Sequence, residues 1–295
     1  MAKALVLGGK KGLLGQALTS ELENQKYTVS TVDREDGDFS SPDFVAGLLN
    51  NEKADIIFNT LAWTRVDDAE ANENEADEAN RIIPLNIASA LSTMQAGHLV
   101  HYSTDFVFSG EQRDPYKENS APCPLNIYGK TKLGGEKVVQ QYLPERSCII
   151  RTAWLFGPGK KNFITTILAA CLKKNEISVV DDQTGSPTYT PDLAKWSVLL
   201  AQKKANGIWN GVNSGQASWC ELASEAVALA RHPCHIQPIS SSQWPQKALR
   251  PRYSVLDNTR LGELIGIKPR PWVQALRDYI YGHLINSGEK ILENP

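Results

Sequence analysis

No apolar run in these 295 residues approaches the roughly 18 residues that a membrane-spanning helix needs. An excess of one charge is also missing. With 31 Lys and Arg against 33 Asp and Glu, the net charge is −2. That excludes a basic field for nucleic acid and a polybasic patch for a membrane surface. Cysteine is sparse. Cys123, Cys148, Cys171, Cys220 and Cys234 are scattered and form no C-x-x-C pair. They read as reduced thiols of a cytoplasmic protein rather than a disulfide framework. His232 and His235 flank Cys234, but one short cluster without a second ligand group reads as a loop, and no metal is expected. The N-terminal MAKALVLGGKKG runs at once into glycines and lysines, unlike a secretory leader. No internal repeat or low-complexity tract occurs. Gly129-Lys130-Thr131 has the form of a P-loop tail, but the earlier glycine it requires would fall on Pro124, which excludes that reading.

What the chain does have starts at its beginning. Ala4 to Leu7 is a short apolar strand that runs straight into a turn with glycines at 9, 12 and 15, and a helical pattern follows through Leu18 and Leu22. Glycines there let the backbone approach a pyrophosphate, which the helix N-terminus binds through its free N–H groups. Strand before and helix after is the context such a turn requires. A second strand, Thr28 to Val32, ends at Asp33, which is placed to accept hydrogen bonds from an adenosine ribose. Arg34, Lys10 and Lys11 could hold a 2′-phosphate instead. The sequence therefore leans to NADH through Asp33 and leaves NADPH open.

The stretch 98–136 carries the chemistry. Its strand ends at Ser103-Thr104-Asp105. After a polar loop, Tyr128 opens a helix that also carries Lys132. Four residues apart, Tyr128 and Lys132 share one helix face. A phenol titrates too high for efficient acid–base work near neutrality, and a neighbouring ammonium lowers it. Thr104 is placed to polarise a carbonyl oxygen. A Tyr-x-x-x-Lys spacing alone is common on exposed helices; its weight comes from the company it keeps.

Further strands are expected at 55–59, 99–102 and 148–151, with helices between them. Residues 67–80 are acidic with helical period and read as a solvated face. This alternation predicts an α/β fold, a Rossmann-type doubly wound parallel sheet with a smaller C-terminal substrate-binding lobe. The expected division is residues 1–154 for the dinucleotide-binding domain, 155–285 mainly for the lobe with the chain crossing between the two, and 286–295 for a polar tail. Ligands of such sheets lie beyond the carboxyl ends of the strands. The glycine turn, Asp33, Ala62 to Thr64 and Thr104 all fall at such ends.

The glycine turn together with Thr104, Tyr128 and Lys132 resembles the extended short-chain dehydrogenase/reductases. GDFS at 37–40, HYSTDFVF at 101–108, PLNIYGKTKLGGEK at 124–137, RTAW at 151–154, DDQTGSPT at 181–188 and RPRYSVLD at 250–257 narrow the resemblance to the dTDP-4-dehydrorhamnose reductase family. The likeness covers nearly the whole chain. It implies NAD(P)H-dependent reduction of the C4 keto group of dTDP-4-dehydro-6-deoxy-L-mannose to dTDP-L-rhamnose, by a monomer or homodimer. It implies cofactor contacts from Gly9, Gly12, Leu13, Leu14, Asp33, Asp38, Phe39, Ala62, Trp63, Thr64, Tyr102, Tyr128 and Lys132. Thr104, Asp105 and Trp154 would meet the sugar nucleotide, and Arg250 either its diphosphate or a protein acid. Tyr128 would donate the proton, and Lys132 would hold the nicotinamide ribose and depress the Tyr128 pKa. Lys11 and Trp63 depart from the family's usual small or His residues. Two other functions fit the same marks. One is a reductase or epimerase of another nucleotide sugar. The other is a non-catalytic, cofactor-binding regulatory subunit resembling that of methionine adenosyltransferase, which shares the LNxYGKTKL segment but lacks the Trp after RTA.

Overall fold

The structure, a computed structural model, describes residues 1–285; the tail expected at 286–295 lies outside them. The N-terminal part alternates strand and helix. Its elements are β1 (Lys3–Leu7), α1 (Leu13–Asn24), β2 (Thr28–Val32), α2 (Pro42–Glu52) and β3 (Ile56–Asn59). After them come the short helices α3 (Val66–Ala69) and α4 (Glu73–Asp77), a π-type turn over Glu78–Ile82, α5 (Ile83–Thr93), β4 (His98–Thr104), α6 (Ile127–Tyr142) and β5 (Ser147–Thr152). The second half holds β6 (Leu155–Phe156), α7 (Phe163–Cys171), β7 (Glu176–Val180), β8 (Thr184–Gly185), β9 (Thr188–Tyr189) and α8 (Thr190–Gln202). It ends with β10 (Gly207–Asn210), β11 (Ala217–Ser218), α9 (Trp219–Leu229), β12 (His235–Ile239), α10 (Thr259–Ile265) and α11 (Trp272–Tyr279).

Six strands form one parallel sheet in the order β10-β5-β4-β3-β1-β2. Both of its faces are covered, which is why its central strands are apolar throughout rather than alternating. In β1 the alternation survives as a division between two cores. Ala4 and Val6 pack with α1, α8 and α10, whereas Leu5 and Leu7 pack with α2, α5 and α6. The chain does cross back after residue 155. Strand β10 completes the sheet beside β5, and α8 lies against α1. Nothing in the four residues Gly-Ile-Trp-Asn marks a strand. Their pairing depends on an edge supplied by β5.

The smaller lobe has its own core, made by α7, α9 and α11 with the parallel pair β7–β12. Trp154, just past β5, packs against this core and also against a small cluster around Phe108, Tyr116 and Leu256. It stands at the seam between the two parts.

Candidate active site

The glycine turn lies where three strand ends meet. Gly8 N–H donates to the Val32 carbonyl at 2.8 Å, and the Thr60 N–H and hydroxyl both donate to the Leu7 carbonyl, at 2.9 and 2.7 Å. A Cβ at Gly15 would stand 2.0 Å from the Gly8 carbonyl oxygen, so only glycine lets the turn fold down onto α1. Helix α1 starts at Gly12 without a side-chain cap, whereas Asn126 caps α6 through the Gly129 N–H at 2.8 Å. The first N–H groups of α1, at Leu13 and Leu14, therefore have no side-chain cap, and the helix dipole favours an anion there. The residues present fit the pyrophosphate of a dinucleotide.

Asp33 is buried at the end of β2 and accepts from the N–H groups of Lys10 at 3.4 Å and Lys11 at 3.1 Å. Its carboxylate holds the glycine turn. Gly9 lies buried inside that turn. The two lysines are in exposed ion pairs, Lys10 with Asp36 at 2.6 Å and Lys11 with Glu35 at 2.5 Å. Beside them Arg34, Asp38, Phe39, Trp63, Glu75 and Glu78 line a cavity of about 450 Å³. Ala62 and Trp63 are half-buried and Thr64 is exposed, all on the loop after β3. The rings of two expected cofactor residues are engaged by other parts of the protein. Phe39 packs edge-to-face on Phe44 at 5.3 Å, and Tyr102 points into the core between the sheet and α8. Strand alternation sends Tyr102 to the same face as Val100, so only its main chain faces the site.

Thr104 ends β4. Its hydroxyl donates to Asp105 Oδ1 at 3.1 Å and accepts from the Phe106 N–H at 3.2 Å. Asp105 is buried and its other oxygen accepts from the Ser254 hydroxyl at 2.6 Å. Burial raises this carboxyl to about 6, against the pull of the Ser254 and Thr104 hydroxyls. Tyr128 stands in the first turn of α6, half-buried, with its ring edge-on to Phe106 at 5.8 Å. A Cβ at Gly129 would come 2.2 Å from the Phe106 carbonyl oxygen. Glycine at that position lets α6 settle onto the loop after β4, which brings Tyr128 to Thr104.

The titration of Tyr128 differs from the expectation. Its phenol is pushed up to about 12, first by burial and further by the Asp105 carboxylate, while the Thr104 hydroxyl pulls it down. Lys132 does not enter that balance. Its ammonium donates instead to the Tyr102 carbonyl at 2.5 Å, and burial lowers it to about 8 against the attraction of Glu136. The phenol is thus held protonated at neutral pH, as a proton donor must be.

Trp154 has a left-handed backbone, φ 49°. Its ring stacks on Trp219 with centroids 3.5 Å apart and planes 7° from parallel, over the Cα of Gly185. Thr152 is the register partner of Thr104, so this aromatic wall begins two residues from the level of Thr104. Arg250, expected at the substrate, is bound by Asp67 at 2.6 and 3.0 Å and by Gln246 at 3.1 Å.

Several residues here have no counterpart in the sequence reading. The acidic run was read as a solvated face, yet Asp67 also accepts from the N–H groups of Lys247 and Ala248, and Glu70 accepts from the N–H of Ile127 at 2.9 Å. Asn80, fully buried in the π-type turn, accepts from the Trp63 N–H at 2.9 Å and donates to the Trp63 carbonyl and the Thr131 hydroxyl. The one signal available for it was a polar residue on the inward face of a helical period.

Among the described residues, no helix is long and apolar enough to cross a membrane. Residues 2–284 match the family model described as the RmlD substrate binding domain. The dTDP-4-keto-6-deoxy-D-glucose reductase of Streptomyces niveus is 36% identical over 278 residues, 94% of this chain and 96% of that protein. The dTDP-4-dehydrorhamnose reductase of Streptomyces griseus is 35% identical over 277 residues, 92% and 90% of the two chains. The solved structure of the dTDP-4-dehydrorhamnose reductase of Bacillus anthracis in complex with NADP superposes with a TM-score of 0.91 at 32% identity, covering 96% of this chain and all of that one. With the glycine turn, the six-stranded parallel sheet and the Thr104, Tyr128 and Lys132 set already in place, this chain belongs to the RmlD family, that of the dTDP-4-dehydrorhamnose reductases, within the short-chain dehydrogenase/reductase fold.

Proposed function

We propose that this protein reduces the C4 keto group of dTDP-4-dehydro-6-deoxy-L-mannose to dTDP-L-rhamnose with NADH or NADPH. The observation that carries this reading is the interaction of Tyr128 with Thr104 at the carboxyl end of β4, in the same parallel sheet whose β1 runs into the uncapped N-terminus of α1. A reduced nicotinamide dinucleotide, when bound, supplies the hydride. Leu13 and Leu14 hold its pyrophosphate through their N–H groups, Asp33 its adenosine ribose, and Ala62 to Thr64 the segment that follows. Lys132 turns its ammonium to the second ribose.

The substrate's keto oxygen lies within reach of two hydroxyls. Thr104 swings its one hydroxyl proton from Asp105 Oδ1 to that oxygen as negative charge develops there. Tyr128, protonated because burial holds its pKa near 12, gives its proton to the forming alkoxide. Trp154, backed by Trp219, forms the wall against the sugar, and Asp105 holds the Thr104 hydroxyl proton until the keto oxygen takes it. Asp33 favours a free 2′-hydroxyl, while Lys10, Lys11 and Arg34 suit a 2′-phosphate.

The relative from Streptomyces niveus favours a second reading, reduction of another dTDP-4-keto-6-deoxy sugar. The same assay tests both. Loss of reduced-nicotinamide absorbance is followed with dTDP-4-dehydro-6-deoxy-L-mannose and with dTDP-4-keto-6-deoxy-D-glucose, each with NADH and NADPH. Turnover with the first alone supports the main reading, and turnover with the second alone replaces it. Tight dinucleotide binding without turnover of either would leave a cofactor-binding protein that is not a reductase of these sugars.

A further inference from the structure

Thr104 and Asp105 lie almost wholly out of water, 4% and 2% exposed. Thr104 has one hydroxyl proton, and it goes to Asp105 Oδ1 at 3.1 Å, while the Ser254 hydroxyl donates to Oδ2 at 2.6 Å. The proposed reduction needs that same Thr104 proton at the keto oxygen. With Asp105 ionised, moving the proton there strips Oδ1 of its donor. It also leaves a buried anion beside an oxygen that is itself becoming negative. Both effects raise the barrier. A protonated Asp105 has neither defect. Its O–H turns to the Thr104 oxygen as the Thr104 hydroxyl turns to the substrate, so two donors in series point at the keto oxygen. The surroundings suit the acid. Both side-chain partners of Asp105 are hydroxyls, which accept as readily as they donate. The cations of neighbouring elements are engaged elsewhere: Lys132 with the Tyr102 carbonyl, Arg151 with Glu136 and Arg250 with Asp67.

We propose that Asp105 works in its acid form, as a positioning residue that donates to Thr104 and so frees the Thr104 proton for the keto oxygen. The proposal rests on the reductase reading and on Thr104 as the donor to that oxygen. No proton leaves Asp105 in the step. The hydride comes from the dinucleotide, and the proton that reaches the alkoxide comes from Tyr128. Burial favours the acid and holds its proton up to about 6, against the Ser254 and Thr104 hydroxyls and the N–H groups of Asp105 and Phe106. Of the titratable groups nearby, Tyr128 on α6 stays protonated throughout this range. Tyr253, next to Ser254, donates its hydroxyl to Gln216 at 3.3 Å. Ser254 sets the balance, because its hydroxyl steadies the carboxylate.

The test is the pH profile of kcat/KM between about pH 5 and about pH 8 in wild type, Asp105→Asn and Ser254→Ala. Beside it runs an infrared titration of the Asp105 carboxyl band, assigned by its loss in Asp105→Asn. Wild-type kcat/KM falls as pH rises through about 6, by up to about tenfold per unit. Asparagine keeps a donor for Thr104 and an acceptor for Ser254 at every pH. Asp105→Asn therefore shows no such fall and exceeds wild type at about pH 8. Ser254→Ala removes a bond that favours the carboxylate, so the fall and the carboxyl titration both move to higher pH. A purely structural Asp105 would move neither. Wild-type kcat/KM that rises with pH through this range would make the carboxylate the working form and overturn the proposal. So would a folded Asp105→Asn protein without turnover at any pH. Where Asp105→Asn does not fold, the wild-type and Ser254→Ala profiles decide. If wild type turns over neither sugar, the reductase reading fails separately, and a carboxyl band already ionised at about pH 5 overturns the acid form of Asp105 by itself.

Discussion

Tyr128 is the residue whose chemistry is most exposed to test. Its phenol interacts with the Thr104 hydroxyl, and burial keeps it protonated. Tyr128→Phe should lower kcat by about 10²- to 10⁴-fold and leave dinucleotide affinity nearly unchanged, measured by fluorescence titration; retained turnover would remove Tyr128 from the mechanism. Asp105 gives a pH test of the same corner. Its folded pKa is raised from the ordinary 3.8 to about 6, so between those values the folded state binds more protons than the unfolded one. Stability must then fall as pH rises from about 4 to about 6, with the penalty complete above that window. Asp105→Asn should flatten this part of the curve in urea denaturation, and an unchanged slope would mean the carboxyl is not desolvated as described. Asp33 serves two ends at once. Asp33→Ala removes both the proposed ribose acceptor and the clamp on the Lys10 and Lys11 N–H groups, so preference should shift toward NADPH while affinity for both dinucleotides drops.

At the scale of the element, α6 and the π-type turn before α5 set the geometry that single residues use. Gly129 is where α6 touches the Phe106 carbonyl. Gly129→Ala must move the helix or the loop, costing about 1–3 kcal/mol by overpacking and drawing Tyr128 away from Thr104. Turnover should therefore fall more than stability alone accounts for, and a variant that loses stability without losing kcat would separate the two effects. Asn80 ties the loop carrying Trp63 to Thr131 on α6. Asn80→Ala would leave the Trp63 N–H and carbonyl without their partner, a cost of about 1–3 kcal/mol. Its expected signature is weaker dinucleotide binding.

For the whole molecule, the telling contact is the one that joins its ends. Asp67, in α3, grips Arg250 and two N–H groups of the segment before it, some 180 residues later in the chain. That ties the segment over 247–250 to the dinucleotide-binding part. The Arg250 guanidinium holds the Asp67 carboxyl down at about 2 from 3.8. The pair's stabilisation is present above about 4 and is lost as pH falls toward 2. With 39% of the Asp67 side chain exposed, solvent screening limits it to below about 1 kcal/mol. The effect of Asp67→Asn should therefore appear in binding: KM for the nucleotide sugar rises severalfold, with dinucleotide affinity and melting temperature little changed. A fall in dinucleotide affinity instead would place this contact on the wrong side of the site.

The sequence by itself carried whatever depends on short range. A strand, a glycine turn and a helix are contiguous, so the dinucleotide-binding motif was legible at residues 4–22. The four-residue spacing of Tyr128 and Lys132 and the apolar strands of a sheet covered on both faces were legible for the same reason. Tertiary structure alone decided what depends on neighbours far apart in the chain. Strand β10 exists because β5 offers it an edge. Tyr128 lies above rather than below the ordinary phenol pKa because burial outweighs the Thr104 hydroxyl, and the Lys132 ammonium points to a carbonyl instead of the phenol. The acidic run at 67–80 read as a solvated face because its partners, Arg250 and the N–H groups of residues 127, 247 and 248, become neighbours only when the chain folds. Charge and periodicity are written in the sequence, but desolvation and pairing belong to the packed molecule.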